Sequence, residues 1–226
     1  MKTKQEIASD WLPRYTGMKL EEFGEYILLV NFNQYIKMFC EKFGVEPANT
    51  ETAMQAATWN NITIINFGMG SSMAATAMDL LSSISPKACL FLGKCGGLKK
   101  KTKMGDLILP IAAIRGEETS KDYFNSRIPA LPAFALQRAV SSTIIEHNHD
   151  YWTGTVYTTN RRLWEHDERF KEYLRSTRAM AIDMESATLF IVGFANEIPC
   201  GALLLCLLYT SPSPRDATLS RMPSSA

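Results

Sequence analysis

The stretch Lys87-Ala88-Cys89-Leu90-Phe91-Leu92-Gly93-Lys94-Cys95-Gly96-Gly97-Leu98 constrains the fold more than any other part of the chain. An apolar run of strand length empties into a segment with three glycines. A short continuous apolar run bounded by turn signals reads as a buried strand, the kind found in a sheet covered on both faces. The glycines then predict a turn with φ > 0 that comes close to a ligand, because open α/β sheets bind ligands at the carboxyl ends of their strands. A tight turn without a ligand fits the same residues.

Strands and helices alternate on either side of this stretch. A polar start predicts a short helix over 4–11, stopped by Pro13, and Tyr26 to Val30 is a strand. Ile36, Phe39, Cys40 and Phe43 share one helical face, closed by Gly44. An edge strand over 52–58 and its partner over 61–66 flank Asn60-Asn61, a hairpin signal. Gly68-Met69-Gly70 precedes a helix with Ser71 or Ser72 as its N-cap, an arrangement suited to cradling an anion. No third glycine follows at dinucleotide spacing, which argues against a Rossmann cofactor. Further strands are expected over 106–114, 151–157, 179–182 and 201–205, and helices over 133–147, 167–177 and 183–197. Such alternation predicts an α/β protein, three-layer α/β/α, with a central sheet that the hairpin makes mixed. The expected organisation is one domain over 1–205 and a Ser- and Pro-rich tail over 206–226, which lacks the apolar content to order itself.

Twenty-four basic and 23 acidic residues leave a net charge of +1, which gives no reason to expect a nucleic acid or an acidic membrane surface as partner. The five cysteines form no C-x-x-C pair and suit reduced core thiols. The N-terminus is polar and no apolar run reaches membrane-spanning length, so the cytoplasm is the expected setting. His147, His149 and His166 make no metal constellation, and no cofactor is expected.

Asp183-Met184-Glu185 is the most informative polar cluster. It leaves a strand and enters a helix, so Glu185 reaches the same carboxyl edge as Gly93 to Gly97. A carboxylate there can accept both hydrogen bonds of a vicinal diol such as the ribose 2′ and 3′ hydroxyls. Acidic residues also favour a first helical turn for dipole reasons alone. Lys94, Arg115, Arg161 and Arg162 stand at predicted strand exits as partners for phosphate, and Trp164 or Tyr157 offers a flat face for a base.

Together these residues resemble the purine nucleoside phosphorylase and uridine phosphorylase superfamily, and within it the AMP nucleosidases in their short, single-domain form. The resemblance spans roughly 26–205. It is carried by Gly68-Met69-Gly70, Gly93-Lys94-Cys95-Gly96-Gly97-Leu98, Gly105-Asp106, Arg115-Gly116-Glu117-Glu118-Thr119-Ser120, Thr153-Gly154-Thr155 and Ile182-Asp183-Met184-Glu185-Ser186-Ala187. Phosphorylases of the superfamily hold inorganic phosphate with a Gly-Asp-Pro-x-Arg turn after the first strand. Here that place reads Val30-Asn31-Phe32-Asn33, and Phe91 and Lys94 stand where the phosphorylases have an Arg and a Ser or Thr. Without those cations a dianionic nucleophile is poorly paired, so the resemblance implies hydrolysis of AMP to adenine and ribose 5-phosphate.

By the same resemblance, Glu185 fixes the ribose hydroxyls and Met184 packs on the sugar. Gly96 belongs to the substrate site, and Thr158, Asn160 and Trp164 approach the base; of the cations at strand exits, Lys94 and Arg115 are the candidates for the 5′-phosphate. It implies no metal or cofactor, and a homo-oligomer, a hexamer built from dimers. The family protonates the departing base with an Asp in a Ser-Asp pair after the last strand. This chain instead reads Cys206-Leu207-Leu208-Tyr209-Thr210, like a frameshift or translated adapter sequence, with Asp216 the next acid beyond Pro212 and Pro214. Impaired catalysis is therefore expected, unless Asp216 folds back. A phosphorylase or nucleosidase acting on unphosphorylated nucleosides, and a catalytically dead nucleotide-binding homologue, remain as alternatives.

Overall fold

The computed structural model describes residues 2–209. Helix α1 (Lys4–Thr16) starts with a capping box, in which Thr3 and Glu6 satisfy each other's backbone amides. It continues through Pro13 rather than stopping before it. Leu12 and Thr16 are buried, α1 packs on the third helix, and Gly17 closes it in the left-handed region at φ 73°. Burying that face outweighs the backbone hydrogen bond that Pro13 removes.

Strand β1 (Tyr26–Val30) leads into α2 (Asn33–Phe43), whose Ile36 and Phe39 pack with Val30, Ile64 and Ala57. Gly44 ends α2 as predicted, at φ 65°. The hairpin forms between β2 (Ala56–Trp59) and β3 (Ile62–Asn66), with Asn60 at φ 51°. Strand β2 is shorter than predicted, and the preceding residues 51–54 are bends. Helix α3 (Ser71–Leu81) is capped by Gly70, not by a serine side chain. The Ser71 hydroxyl is drawn away to donate to the Met184 carbonyl at 2.9 Å.

Strand β4 (Ala88–Gly97) corrects the sequence reading most. It does not end at Gly93 in a turn, but runs on through Gly97 with an irregularity between Cys95 and Gly96. None of its glycines has positive φ. They provide room instead, since a Cβ on Gly93 would lie 2.4 Å from the Phe91 ring, and one on Gly97 2.5 Å from Thr102 Oγ1.

The chain continues through β5 (Leu107–Gly116), α4 (Phe134–Glu146), β6 (Tyr151–Thr159), α5 (Glu168–Thr177), β7 (Ala181–Asp183), α6 (Ser186–Ala195) and β8 (Cys200–Tyr209). Strand β8 passes the predicted end at Leu205, because Cys206, Leu207 and Leu208 are themselves apolar and the backbone keeps pairing with β4 as far as Gly97. The rest of the expected tail lies outside the described residues.

The eight strands form one mixed sheet in the order β2-β3-β1-β4-β7-β6-β5-β8. β8 also pairs with β4, so β4, β7, β6, β5 and β8 close into a ring. Helices α1, α3 and α6 pack together on one side, while α2 covers β2 and β3 and α5 lies on the Tyr157–Ile182 cluster. The main core joins Phe67, Phe91, Met78 and Phe190, all essentially inaccessible. No helix among the described residues is long and apolar enough to cross a membrane.

Candidate active site

A cavity of about 220 Å³ opens where β1, β4, β6, β7 and β8 end. Antiparallel pairing of Gly96 with Ile182 sets the segment after β7 beside Lys94, Cys95 and Gly96. Met184 and Glu185 therefore line the cavity from one side, and Asn31, Phe32 and Met69 join them. The end of β6 contributes Thr159, the segment after it Arg161, Arg162, Trp164 and Glu165, and β8 contributes Leu207.

Glu185 is the best-anchored polar group there. Its carboxyl accepts from the Gly70 amide at 2.7 Å and the Met184 amide at 3.3 Å, and the Asn31 side chain bonds to it as well. Asn31 in turn donates to the Gly68 carbonyl at 2.8 Å. The Gly-x-Gly loop thus cradles a carboxylate of this same chain. Glu185 is only 4% exposed, and burial, followed by the nearby Asp183, pushes its pKa up to about 8 despite those donors. Asp183 is raised too, by burial, although Thr158 Oγ1 donates to it at 2.7 Å and the Ser186 amide at 2.8 Å. These two buried carboxyls differ in use. Both line the cavity, but Asp183 is held by the Thr158 hydroxyl and the Ser186 amide at the start of α6, while Glu185 is held by the loop at Gly70.

Lys94 reaches the cavity across the faces of two rings, 4.1 Å from the Phe32 centroid and 5.3 Å from that of Tyr35. Gly96 and Met184 line it as expected, and so does the largely buried Trp164, edge-on to Phe170.

Three expected site residues lie elsewhere. Thr158 is fully buried, donating to Asp183 and accepting from the Ala187 amide, and its neighbour Thr159 lines the cavity instead. One position along a strand reverses the face, and β6 could not be phased that finely from sequence. Asn160 is exposed and outside the lining. Arg115 is spent on its own loop: Nε donates to Ser120 Oγ, and the terminal nitrogens donate to the carbonyls of Phe124, Asn125 and Ile128. Four of its five N–H donors are thus committed to the 120–128 segment, and Arg115 is not among the lining residues. Asn31, Phe32, Met69, Glu165 and Leu207 were not anticipated as lining residues. Asn31 and Phe32 had a signal in their place immediately after the first strand, and Met69 in its place between Gly68 and Gly70; Glu165 and Leu207 had none.

The described residues hold no group of three or more His, Cys, Asp or Glu side chains able to bind a metal ion. The arrangement can instead bind a polyhydroxylated ring at Glu185, a flat group beside Trp164, and an anion at a cation on the cavity wall.

The chain is 60% identical to an AMP nucleosidase from Bacteroides thetaiotaomicron VPI-5482 of known crystal structure, with a TM-score of 0.89 over 90% of each chain. A uridine phosphorylase from Vibrio fischeri ES114 shares the fold at a TM-score of 0.78 and 21% identity, over 84% of this chain and 82% of that one. The chain is 28% identical to the AMP nucleosidase of Escherichia coli K12, over 85% of its own length but 49% of the longer protein, so it spans about half of that relative. A sequence model of the Phosphorylase superfamily matches residues 25–209, and the chain belongs to that superfamily.

Proposed function

We propose that the cavity binds AMP and that its chemistry is hydrolysis of the N-glycosidic bond, giving adenine and ribose 5-phosphate. The observation that carries the reading is Glu185, a buried carboxyl anchored by Gly70, Met184 and Asn31 at the edge of the cavity. It accepts the 2′ and 3′ hydroxyls and holds the sugar as positive charge develops at C1′ in an oxocarbenium-like transition state. Met184 packs on the sugar and Trp164 borders the base. The 60% identity to an AMP nucleosidase supports the substrate.

Water is the attacking group in this reading. The turn after β1 contributes Asn31 and the Phe32 ring, and neither offers a charge to inorganic phosphate. Adenine leaves poorly as an anion, so efficient turnover needs an acid at the base. Strand β8 supplies none: Cys206, Leu207, Leu208 and Tyr209 carry no carboxyl, and Leu207 lines the cavity. This favours a chain that binds nucleotide well and cleaves it slowly. Family resemblance adds a homo-oligomer to the reading. Chromatography of AMP incubated with the protein, with and without inorganic phosphate, tests it. Slow release of adenine and ribose 5-phosphate, indifferent to phosphate, is expected, and ribose 1-phosphate derivatives would overturn it.

A further inference from the structure

Four basic residues were candidates for reading a phosphate, and the structure treats them very differently. Arg115 has four of its five donors taken by Ser120 and three carbonyls, and it does not line the cavity. Arg161 lines the cavity but is paired with Asp167 at 2.9 Å and lies over the Phe170 ring. Arg162 stands 3.9 Å from Glu165, a carboxylate that lines the same wall and would repel an arriving dianion. Lys94 is the remaining cation. Among the described residues it has no carboxylate partner, only the Phe32 and Tyr35 rings.

We infer that Lys94 is the residue that selects a 5′-monophosphate over the free nucleoside, with Phe32 and Tyr35 as the bed that holds its ammonium in place. The inference rests on the nucleotide reading of the cavity and names the group that reads the phosphate. Three observations carry it. The ammonium borders the cavity, on the strand segment that Met184 and Glu185 face. Phe32 directly follows Asn31, which bonds to Glu185, so the aromatic bed adjoins the sugar end of the site. Ring faces attract the cation without neutralising it, leaving its charge and its donors for an anion.

The arrangement also bears on the nucleophile. One unpaired cation suits one phosphate. Phosphorolysis of AMP would place two dianions in the same small cavity, and a buried anion without a partner is costly. Lys94 bound to the substrate's own phosphate leaves nothing to hold a second, so the same residue that admits AMP excludes inorganic phosphate as co-substrate.

The test compares AMP and adenosine binding by calorimetry, which does not depend on turnover, for the wild-type chain and for Lys94→Met and Lys94→Arg. Methionine keeps the stem over the rings and removes the charge. Lys94→Met should bind AMP about ten- to a hundredfold more weakly, the worth of a charge-assisted hydrogen bond, with adenosine affinity unchanged. Lys94→Arg should retain most of the preference. Phe32→Leu, which removes the nearer ring and no charge, should lose part of it. A wild-type preference for AMP that survives Lys94→Met would overturn the assignment of Lys94 while leaving the nucleotide site intact, as would an equal loss of AMP and adenosine binding. A wild-type chain that binds neither ligand would overturn the reading of the cavity itself.

Discussion

Gly68–Gly70 and Gly93–Gly97 both border the cavity, and they use glycine for opposite reasons. In the first, Gly68 and Gly70 sit at φ 86° and 91°, and a Cβ on either would meet nothing closer than 3.9 Å. The backbone there needs a conformation that L side chains rarely adopt, and the result is an amide aimed at Glu185. In the second, the backbone is ordinary extended strand, and glycine is required because Phe91, Leu204, Thr102 and Cys206 occupy the space a Cβ would take. The first stretch shapes the site by conformation, the second by packing. The same letter in a sequence therefore carries two meanings, and mutations separate them.

The largest expected effect is at Gly93. Gly93→Ala drives a methyl into the fully buried Phe91 ring and to within 2.9 Å of Leu204. Overpacking of that kind costs about 3 kcal/mol, to be read as a lower urea midpoint with an unchanged slope. A neutral result would show that the ring moves aside freely and that β4 does not need glycine there.

Next is Glu185→Gln, which keeps an acceptor for Gly70 but cannot ionise to the carboxylate that accepts both ribose hydroxyls. AMP binding should weaken about ten- to a hundredfold. The same variant has a pH signature. The pKa of Glu185 lies near 8 against an ordinary 4.5, so the folded chain holds a proton that the unfolded chain releases between those values. Stability of the ligand-free chain is then fully present below about pH 4.5 and falls as pH rises toward 8, by a few kcal/mol at most. Asp183 acts in the same direction. Glu185→Gln should reduce this slope in denaturation series across that range, and an unchanged slope would remove Glu185 as its source.

Gly70→Ala should cost about 1–2 kcal/mol through backbone strain alone. Unlike Gly93→Ala, it should also weaken AMP binding by disturbing the amide that holds Glu185. Gly44→Ala is the smallest case and the control. It shares the positive φ and the open surroundings but caps α2, away from the lining. About 1 kcal/mol of stability should be lost, with AMP affinity untouched. If Gly44→Ala and Gly70→Ala reduced binding equally, the loop at Gly70 would have no special part in the site.

This contrast also explains what could be read from sequence. The alternation of apolar strands with amphipathic helices was legible because each element buries one face, as Ile36 and Phe39 do on α2. The hairpin at Asn60 and the αL cap at Gly44 were legible because their chemistry is local. The course of β4 was not, because a glycine demanded by a neighbour 111 residues away, as Leu204 is from Gly93, looks the same as one demanded by a turn. Pro13 misled for a related reason: its local preference was overridden by burial of Leu12 and Thr16. That Glu185, Met184, Gly96, Lys94 and Trp164 share one cavity was legible because strand ends converge on one edge of an α/β sheet. Arg115 and Thr158 were misplaced because a side chain's partners, unlike its position on a strand, are set by segments distant in sequence. The closure of β4 and β8 into a ring was likewise invisible, as pairing partners are not written into either strand.

The central proposal is that this cavity hydrolyses AMP and that β8 does not carry the acid the reaction needs. The most direct measurement is the single-turnover rate of adenine release from AMP, for this chain and for one carrying Cys206→Val, Leu207→Ser and Leu208→Asp, each assayed with and without inorganic phosphate. The account predicts that the triple variant releases adenine and ribose 5-phosphate about 10²–10⁴-fold faster, with AMP affinity little changed and no dependence on phosphate. Equal rates in the two chains, or a rate that rises with phosphate and yields a ribose 1-phosphate product, would contradict it.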